Sequence, residues 1–198
     1  MTRLFDFLGA ILGLVLLSPG LLLIAALIWL VDGRPVFYRQ VRVGRGGRPF
    51  RIWKFRTMVV DADRIGRPLT VSGDPRVTRT GAWLRRWKID ELPQLINVVM
   101  GDMGFVGPRP EVPRFVALYT ETQRRVLDLR PGITDLASIA YRNESDLLDG
   151  LEDPEAHYIE TILPDKIRIN LDYAAKAGVW RNLKVILATL GLLAPERV

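Results

Sequence analysis

The chain has no cysteine and a single histidine, His157. Disulfides, thiolate catalysis and Cys-ligated metals are therefore excluded, as are metal sites built from several imidazoles. A hydrolase triad would have to rest on His157, which stands in an acidic stretch with no other chemistry-bearing side chain beside it. Charge is missing too, but only locally: Phe7 to Val31 contains no Asp, Glu, Lys or Arg. Beyond that run the charges are unevenly placed. Residues 33–88 carry fifteen Lys/Arg against Asp61, Asp63 and Asp74, whereas residues 90–198 carry twelve basic and seventeen acidic side chains. The 198 residues, 48% of them hydrophobic, suffice for one domain with a full core. A basic block directly after an apolar run is the cytoplasmic flank expected at a membrane, and it suits anionic lipid or phosphate-bearing substrates. Charge alone would also suit nucleic acid, but no DNA- or RNA-binding motif is present, and no nucleic-acid partner is expected.

The apolar run has three readings. A signal peptide needs a short apolar core and a small-residue cleavage site, and here the run resumes after Pro19 with no good site after Trp29. A single-pass helix needs about 20 apolar residues, which 7–31 supplies. A re-entrant hairpin is the third: at about 1.5 Å per residue, Phe7–Leu17 and Gly20–Val31 reach roughly 16 and 18 Å, too short to cross a ~30 Å core but long enough to enter and return. Ser18-Pro19-Gly20 lies at the midpoint, where Pro19 removes the bond to the Val15 carbonyl and a bend is expected. Ser18 is placed to satisfy that carbonyl. These local features leave spanning and re-entry evenly balanced.

Two strand-like runs, 35–43 and 49–58, flank a Gly-rich connection and predict a β-hairpin. Alternation puts Lys54 and Arg56 on one face of the second strand, as a solvated pair or a grip on phosphate. Residues 59–80 have no periodicity and predict a long loop. Short helices follow at 82–87 and from Leu92, with further helical stretches at 111–129, 157–177 and 180–193. In the last, Trp180, Leu183, Ile186, Leu187 and Leu190 make an apolar stripe, facing either the core or a membrane interface.

Two clusters carry chemistry. In LRRWKIDELPQ, Pro93 sets Asp90 and Glu91 at the start of a helix. Asp90 then reads as an N-cap with Glu91 complementing the dipole, or as an ionised carboxylate beside a phosphate site, with Arg85 and Lys88 adding cations. In the second reading Asp90 is a nucleophile, and Glu91 helps hold Mg²⁺, a hard ion that takes one or two carboxylates plus substrate oxygens. In GPRP, Arg109 sits between Pro108 and Pro110, either an exposed loop arginine or a guanidinium on a stiff mount suited to bidentate phosphate recognition.

Taken together, Ser18-Pro19, PVFYRQVRVG, KFRTM, DPRVTRTG, DELPQLINVVMGDM, VGPRP and RPGIT run in one order over nearly the whole chain. The ordered set resembles the bacterial sugar transferases, the small monotopic phosphoglycosyl transferases, in their minimal catalytic form. That resemblance implies an α/β, mostly helical monotopic membrane protein. Residues 1–32 would form a re-entrant helix-break-helix hairpin and residues 33–198 a cytoplasmic catalytic domain with a small β-hairpin and interfacial amphipathic helices. It implies transfer of a sugar-1-phosphate from a nucleotide sugar, typically a UDP-sugar, to polyprenol phosphate at the bacterial inner membrane. Asp90 would carry a covalent phosphosugar, Glu91 and Asp90 would bind Mg²⁺, and Arg85 and Arg109, framed by Pro108 and Pro110, would bind phosphates. Lys54 and Arg56 would add nucleotide or phosphate contacts. The alternative is a membrane-anchored scaffold that binds anionic lipid or nucleotide sugar without chemistry; the sugar and the oligomeric state are not specified. The family often continues PGIT with Gly-Leu-Ala-Gln, where this chain has Asp135-Leu136-Ala137-Ser138.

Overall fold

A computed structural model describes residues 3–65 and 73–194. Part of the predicted loop at 59–80 therefore lies outside the described residues; its ends are pinned by an antiparallel bridge between Met58 and Val77. The apolar run forms one helix, α1 (Arg3–Val31), with Pro19 inside it. The expected helix-break-helix is corrected: the helical backbone continues through Pro19. The reason is local, because the Ser18 hydroxyl donates to the Val15 carbonyl at 2.8 Å, the acceptor that proline leaves without its amide.

α1 is long and apolar enough to cross a membrane. Yet Ala10 and Ile28, about 27 Å apart along a helix, are both fully buried against the rest of the chain. Ala10 and Leu14 pack with Leu95, Val98 and Met103, while Leu21, Ile24 and Ile28 pack with Phe55 and Leu84. Residues 15–20, between the two docking regions, are exposed. Both ends of the helix are therefore packed against the rest of the chain.

Arginines fasten both its ends. Arg3 donates to the carbonyls of Val98 and, at 2.7 Å, Val99. Arg56 donates to the carbonyls of Asp32, Gly33 and Arg34 just past its C-terminus, fixing the chain where it leaves the helix.

Strands β1 (Phe37–Val43) and β2 (Pro49–Phe55) form the expected antiparallel hairpin, with Tyr38 opposite Lys54 and Val43 opposite Pro49. Gly46 and Gly47, both at positive φ, make its turn. Next come α2 (Arg79–Arg86), a 3₁₀ turn over Ile89–Gln94 and α3 (Leu95–Met100). The predicted 111–129 helix resolves into single turns at Pro113–Val116 and Glu121–Arg124 with a 3₁₀ turn at Arg125–Asp128.

A second, unexpected sheet pairs β3 (Gly104–Val106) with β4 (Gly132–Thr134) in parallel. Here GPRP and RPGIT meet backbone to backbone: a Cβ on Gly107 would lie 2.2 Å from the Arg130 carbonyl, and one on Gly132 would lie 2.1 Å from the Gly107 nitrogen. Both glycines are required by that approach. The main core gathers Phe115, Val116, Tyr158, Ile162 and Ile167 around Leu148. Helices α4 (Leu136–Ala140), α5 (Leu163–Ala174) and α6 (Val179–Thr189) complete the chain.

On α6 the core-facing reading of the apolar stripe is overturned. Asn182, Val185 and Ala188 are buried, whereas Trp180 is 78% and Leu190 66% exposed. A polar residue faces inward because Tyr173 donates its hydroxyl to Asn182 at 2.6 Å.

Candidate active site

Three elements converge on the Asp90–Glu91 pair. Strand β2 delivers Lys54, whose ammonium donates to Glu91 Oε1 at 2.7 Å. The β3–β4 junction delivers Arg109, whose guanidinium spans both Glu91 oxygens, Nη1 to Oε2 at 3.0 Å and Nη2 to Oε1. Burial alone would raise the Glu91 pKa, but the charges and hydrogen bonds of Arg109 and Lys54 together hold it well below the usual carboxylate range. In return Glu91 raises Arg109. Burial pushes Lys54 down, against the pull of Glu91.

The mount of Arg109 explains its two prolines. The Pro108 carbonyl accepts from the Gly132 amide at 3.1 Å, and the Pro110 carbonyl accepts from Arg42 at 3.0 Å. Their polar groups are thus engaged by the fold, holding the arginine from both sides.

Asp90 differs from its neighbour in every respect. It is 7% exposed, and no described residue donates a hydrogen bond to its carboxylate. Burial raises its pKa, the adjacent Glu91 raises it further, and Lys54, Arg85 and Arg109 only partly offset this. The helix N-terminus expected to favour the Asp90 charge does not act through a capping bond from that side chain. The cap is instead Lys88, in the left-handed region at φ 54°, and Pro93 lies late in the 3₁₀ turn, not at its start. Asp90 therefore gains no capping bond to stabilise its charge.

Arg85 reaches the site from α2, where Nε donates to the Thr57 hydroxyl at 2.8 Å. Burial lowers its pKa and Asp90 raises it, so the two groups feel each other's charge. α2 sits against this strand end through Gly81, where a Cβ would lie 2.0 Å from the Thr57 carbonyl. Its start is tied down by Thr78, whose hydroxyl accepts from the Gly81 amide at 2.9 Å and donates to Asp32 at 3.1 Å. The DPRVTRTG segment thus links the end of α1 to the helix that presents Arg85.

The structure brings together Lys54, Arg85, Asp90, Glu91 and Arg109. It does not bring Arg56, which is 5% exposed and occupied at the end of α1. Ser18 and Pro19 lie in the exposed middle of that helix. Thr57 and Arg42 were missed by sequence reasoning. Arg42 alternates onto the Tyr38–Gln40 face of β1, the face that Lys54 shares through its pairing with Tyr38, so period-2 spacing carried that signal. Asp135 caps α4, accepting from the Ser138 amide at 2.8 Å, and its charge is felt by Arg109 and Lys88.

No group of three or more acidic or His side chains fit to hold a metal occurs among the described residues. The expected Asp90–Glu91 metal pair divides: the Glu91 oxygens are taken by two cations, and only Asp90 offers oxygens without a donor.

Residues 1–195 match the family model described as bacterial sugar transferase. The chain is 36% identical over 199 residues to the galactosyl transferase CpsE of Streptococcus agalactiae, covering 95% of this chain and 41% of that protein. It is 36% identical over 194 residues to the UDP-glucose:undecaprenyl-phosphate glucose-1-phosphate transferase of Escherichia coli, covering 93% and 38%. The Caulobacter vibrioides transferase of the same name is 38% identical over 199 residues, covering 95% and 67%. The chain therefore spans less than half the length of the first two relatives. With the family model matched from end to end of the described structure, the chain belongs to the bacterial sugar transferase family.

Proposed function

We propose that this chain transfers a sugar-1-phosphate from a UDP-sugar to polyprenol phosphate through a covalent intermediate on Asp90. The observation that carries this reading is a buried carboxylate without a hydrogen-bond donor, set among Lys54, Arg85 and Arg109. Such a carboxylate keeps its lone pairs available for attack, while the cations favour an incoming phosphate. An Asp90 oxygen attacks the phosphorus that bears the sugar, and the bond from that phosphorus to the bridging oxygen breaks. UMP leaves with the electron pair, and the sugar phosphate remains as an acyl phosphate on Asp90. A polyprenol phosphate oxygen then attacks the same phosphorus and releases the Asp90 carboxylate.

Glu91 has a supporting role: it orients Lys54 and Arg109 and keeps them from neutralising Asp90 too fully. Arg85 and Arg109 contact phosphoryl oxygens. A magnesium ion carried by the donor diphosphate would find one protein ligand in Asp90, and such an ion supplies neutralisation of phosphate charge. The E. coli and C. vibrioides relatives are named for the same class of transfer to undecaprenyl phosphate.

The long apolar surface of α1 supports membrane attachment, and the docking of both its ends on one body supports holding the helix and the candidate site at the same, cytoplasmic, face. The exposed Trp180, Leu183 and Leu190 of α6 add an interfacial contact.

The deciding experiment incubates the full chain in detergent with a UDP-sugar labelled in the sugar, without acceptor. A labelled enzyme adduct released by polyprenol phosphate, and absent from Asp90→Asn, is expected. An adduct of equal yield in Asp90→Asn would overturn the nucleophile assignment, and no UMP release from any UDP-sugar would favour a non-catalytic scaffold.

A further inference from the structure

A cavity that shares no residue with the Asp90–Glu91 cluster opens beside the first turns of α1. It is lined by Arg3, Asp6, Arg45, Gly104, Val106 and Arg130. Asp6 is 6% exposed, and its buried Oδ1 has no hydrogen-bond partner. Native folds rarely leave such an acceptor unpaired, so the atom marks a place where an external donor is missing. Gly104 keeps the space open, since a Cβ there would come within 3.1 Å of Asp6 Oδ2.

The three arginines are not equivalent. Arg3 is committed to the carbonyls of Val98 and Val99. Arg45 gives only its Nε, to the Asp128 carbonyl at 3.0 Å, and its terminal nitrogens have no described partner. The Arg130 side chain donates no hydrogen bond to a described residue. The cavity therefore asks for two things at once, an anion for Arg45 and Arg130 and a donor for Asp6. On the same helical turns Leu4, Phe5 and Leu8 are 65%, 54% and 56% exposed, a surface on which acyl chains can lie.

We propose that this cavity binds the headgroup of a zwitterionic phospholipid of the phosphatidylethanolamine class. The phosphate diester takes Arg45 and Arg130, and the ammonium donates to Asp6 Oδ1. A phosphate ester with a donor on a short arm fits this set. Phosphatidylcholine has the same phosphate and charge but no N–H, so Asp6 distinguishes the two. The site rests on the membrane attachment proposed above and is separate from acceptor binding.

The test uses the full chain in nanodiscs of equimolar phosphatidylethanolamine and phosphatidylcholine, with retained lipid read by native mass spectrometry. Wild type is expected to retain phosphatidylethanolamine over phosphatidylcholine by about tenfold or more, the loss that follows when a buried charged group goes without its hydrogen bond. Asp6→Asn should bring that ratio close to one. Arg45→Gln combined with Arg130→Gln should lower retention of both lipids about tenfold and leave the ratio unchanged. Circular dichroism of each variant confirms folding, and the arginine pair, with Arg45 exposed and Arg130 half-buried, keeps the test open if Asp6→Asn fails to fold.

Equal retention of both lipids by wild type, or undiminished retention by the arginine variant, overturns the proposal. So does millimolar inorganic phosphate displacing the lipid from wild type, which would assign the cavity to a free anion. Flotation with vesicles separates the two levels. A chain that floats with vesicles but shows no lipid preference refutes only this site, and a chain that does not float refutes membrane attachment itself.

Discussion

Asp90→Asn should destroy transfer and, in the same stroke, stabilise the protein. Asparagine keeps the shape of the side chain and removes the charge that burial and Glu91 make unfavourable. A buried polar group left without a partner costs about 1–3 kcal/mol, and a charged one more. The attraction of Lys54, Arg85 and Arg109 returns part of that cost, but the net shift of Asp90 is upward, so the charged form remains the less favourable one in the fold. A gain of about 1–3 kcal/mol corresponds to roughly 2–10 °C in melting temperature for a chain of this size. The pH dependence follows from the sign. A carboxyl whose folded pKa exceeds its unfolded value contributes stability that is complete below the unfolded value and is lost as pH rises through the folded one. The advantage of Asp90→Asn should therefore be full at pH 7.5, shrink as pH falls through the folded pKa of Asp90, and vanish below about 3.9, the unfolded value. Thermal melts of both proteins in the same detergent, without donor or divalent metal, read this directly. A variant that melts below wild type at pH 7.5 would show that Asp90 is stabilised where it sits and would remove the physical basis for its nucleophilicity.

Arg109→Lys keeps the charge but not the fork on Glu91; kcat/KM for UMP release should fall about 10–100-fold, with one charge-assisted hydrogen bond lost. Wild-type kinetics in the lysine variant would refute the bidentate role. Thr57→Val removes the acceptor of Arg85 and should lower kcat/KM about tenfold, with Thr57→Ser restoring it, while a loss shared equally by both would mean that only packing matters. Gly107→Ala should prevent folding, since its Cβ would lie 2.2 Å from a carbonyl, whereas Gly20→Ala meets nothing within 4 Å and should match or exceed wild-type stability, both read by thermal melts.

Most of the site was legible because short motifs fix identity and local spacing, and Asp90, Glu91, Arg85 and Arg109 meet as their motifs imply. What failed did so where a tertiary partner decided the outcome. Lys54 and Arg56 share a face only if the strand continues; β2 ends at Phe55, and Arg56 turns to the carbonyls past α1. A proline in the apolar run predicts a break, and one hydroxyl on the right carbonyl removes the need for it. The stripe on α6 looked like a core face, but the space beneath that helix is filled by Val185, Ala188 and a hydrogen-bonded asparagine. The parallel β3–β4 pair left no periodic trace, since each strand is three residues long. Its only mark was the glycine in each of GPRP and RPGIT.

The two arginines that fasten α1 have a consequence for how the molecule can be divided. Removing residues 3–31 would uncover Leu95, Val98, Phe55 and Leu84 and take the Arg3 guanidinium away from the Val98 and Val99 carbonyls. Those residues adjoin the strand and turns that hold Lys54, Asp90 and Glu91. The apolar helix is therefore a wall of the fold that holds the candidate site. A truncation made to obtain a water-soluble enzyme should yield neither solubility nor activity, because there is no self-sufficient soluble half to release.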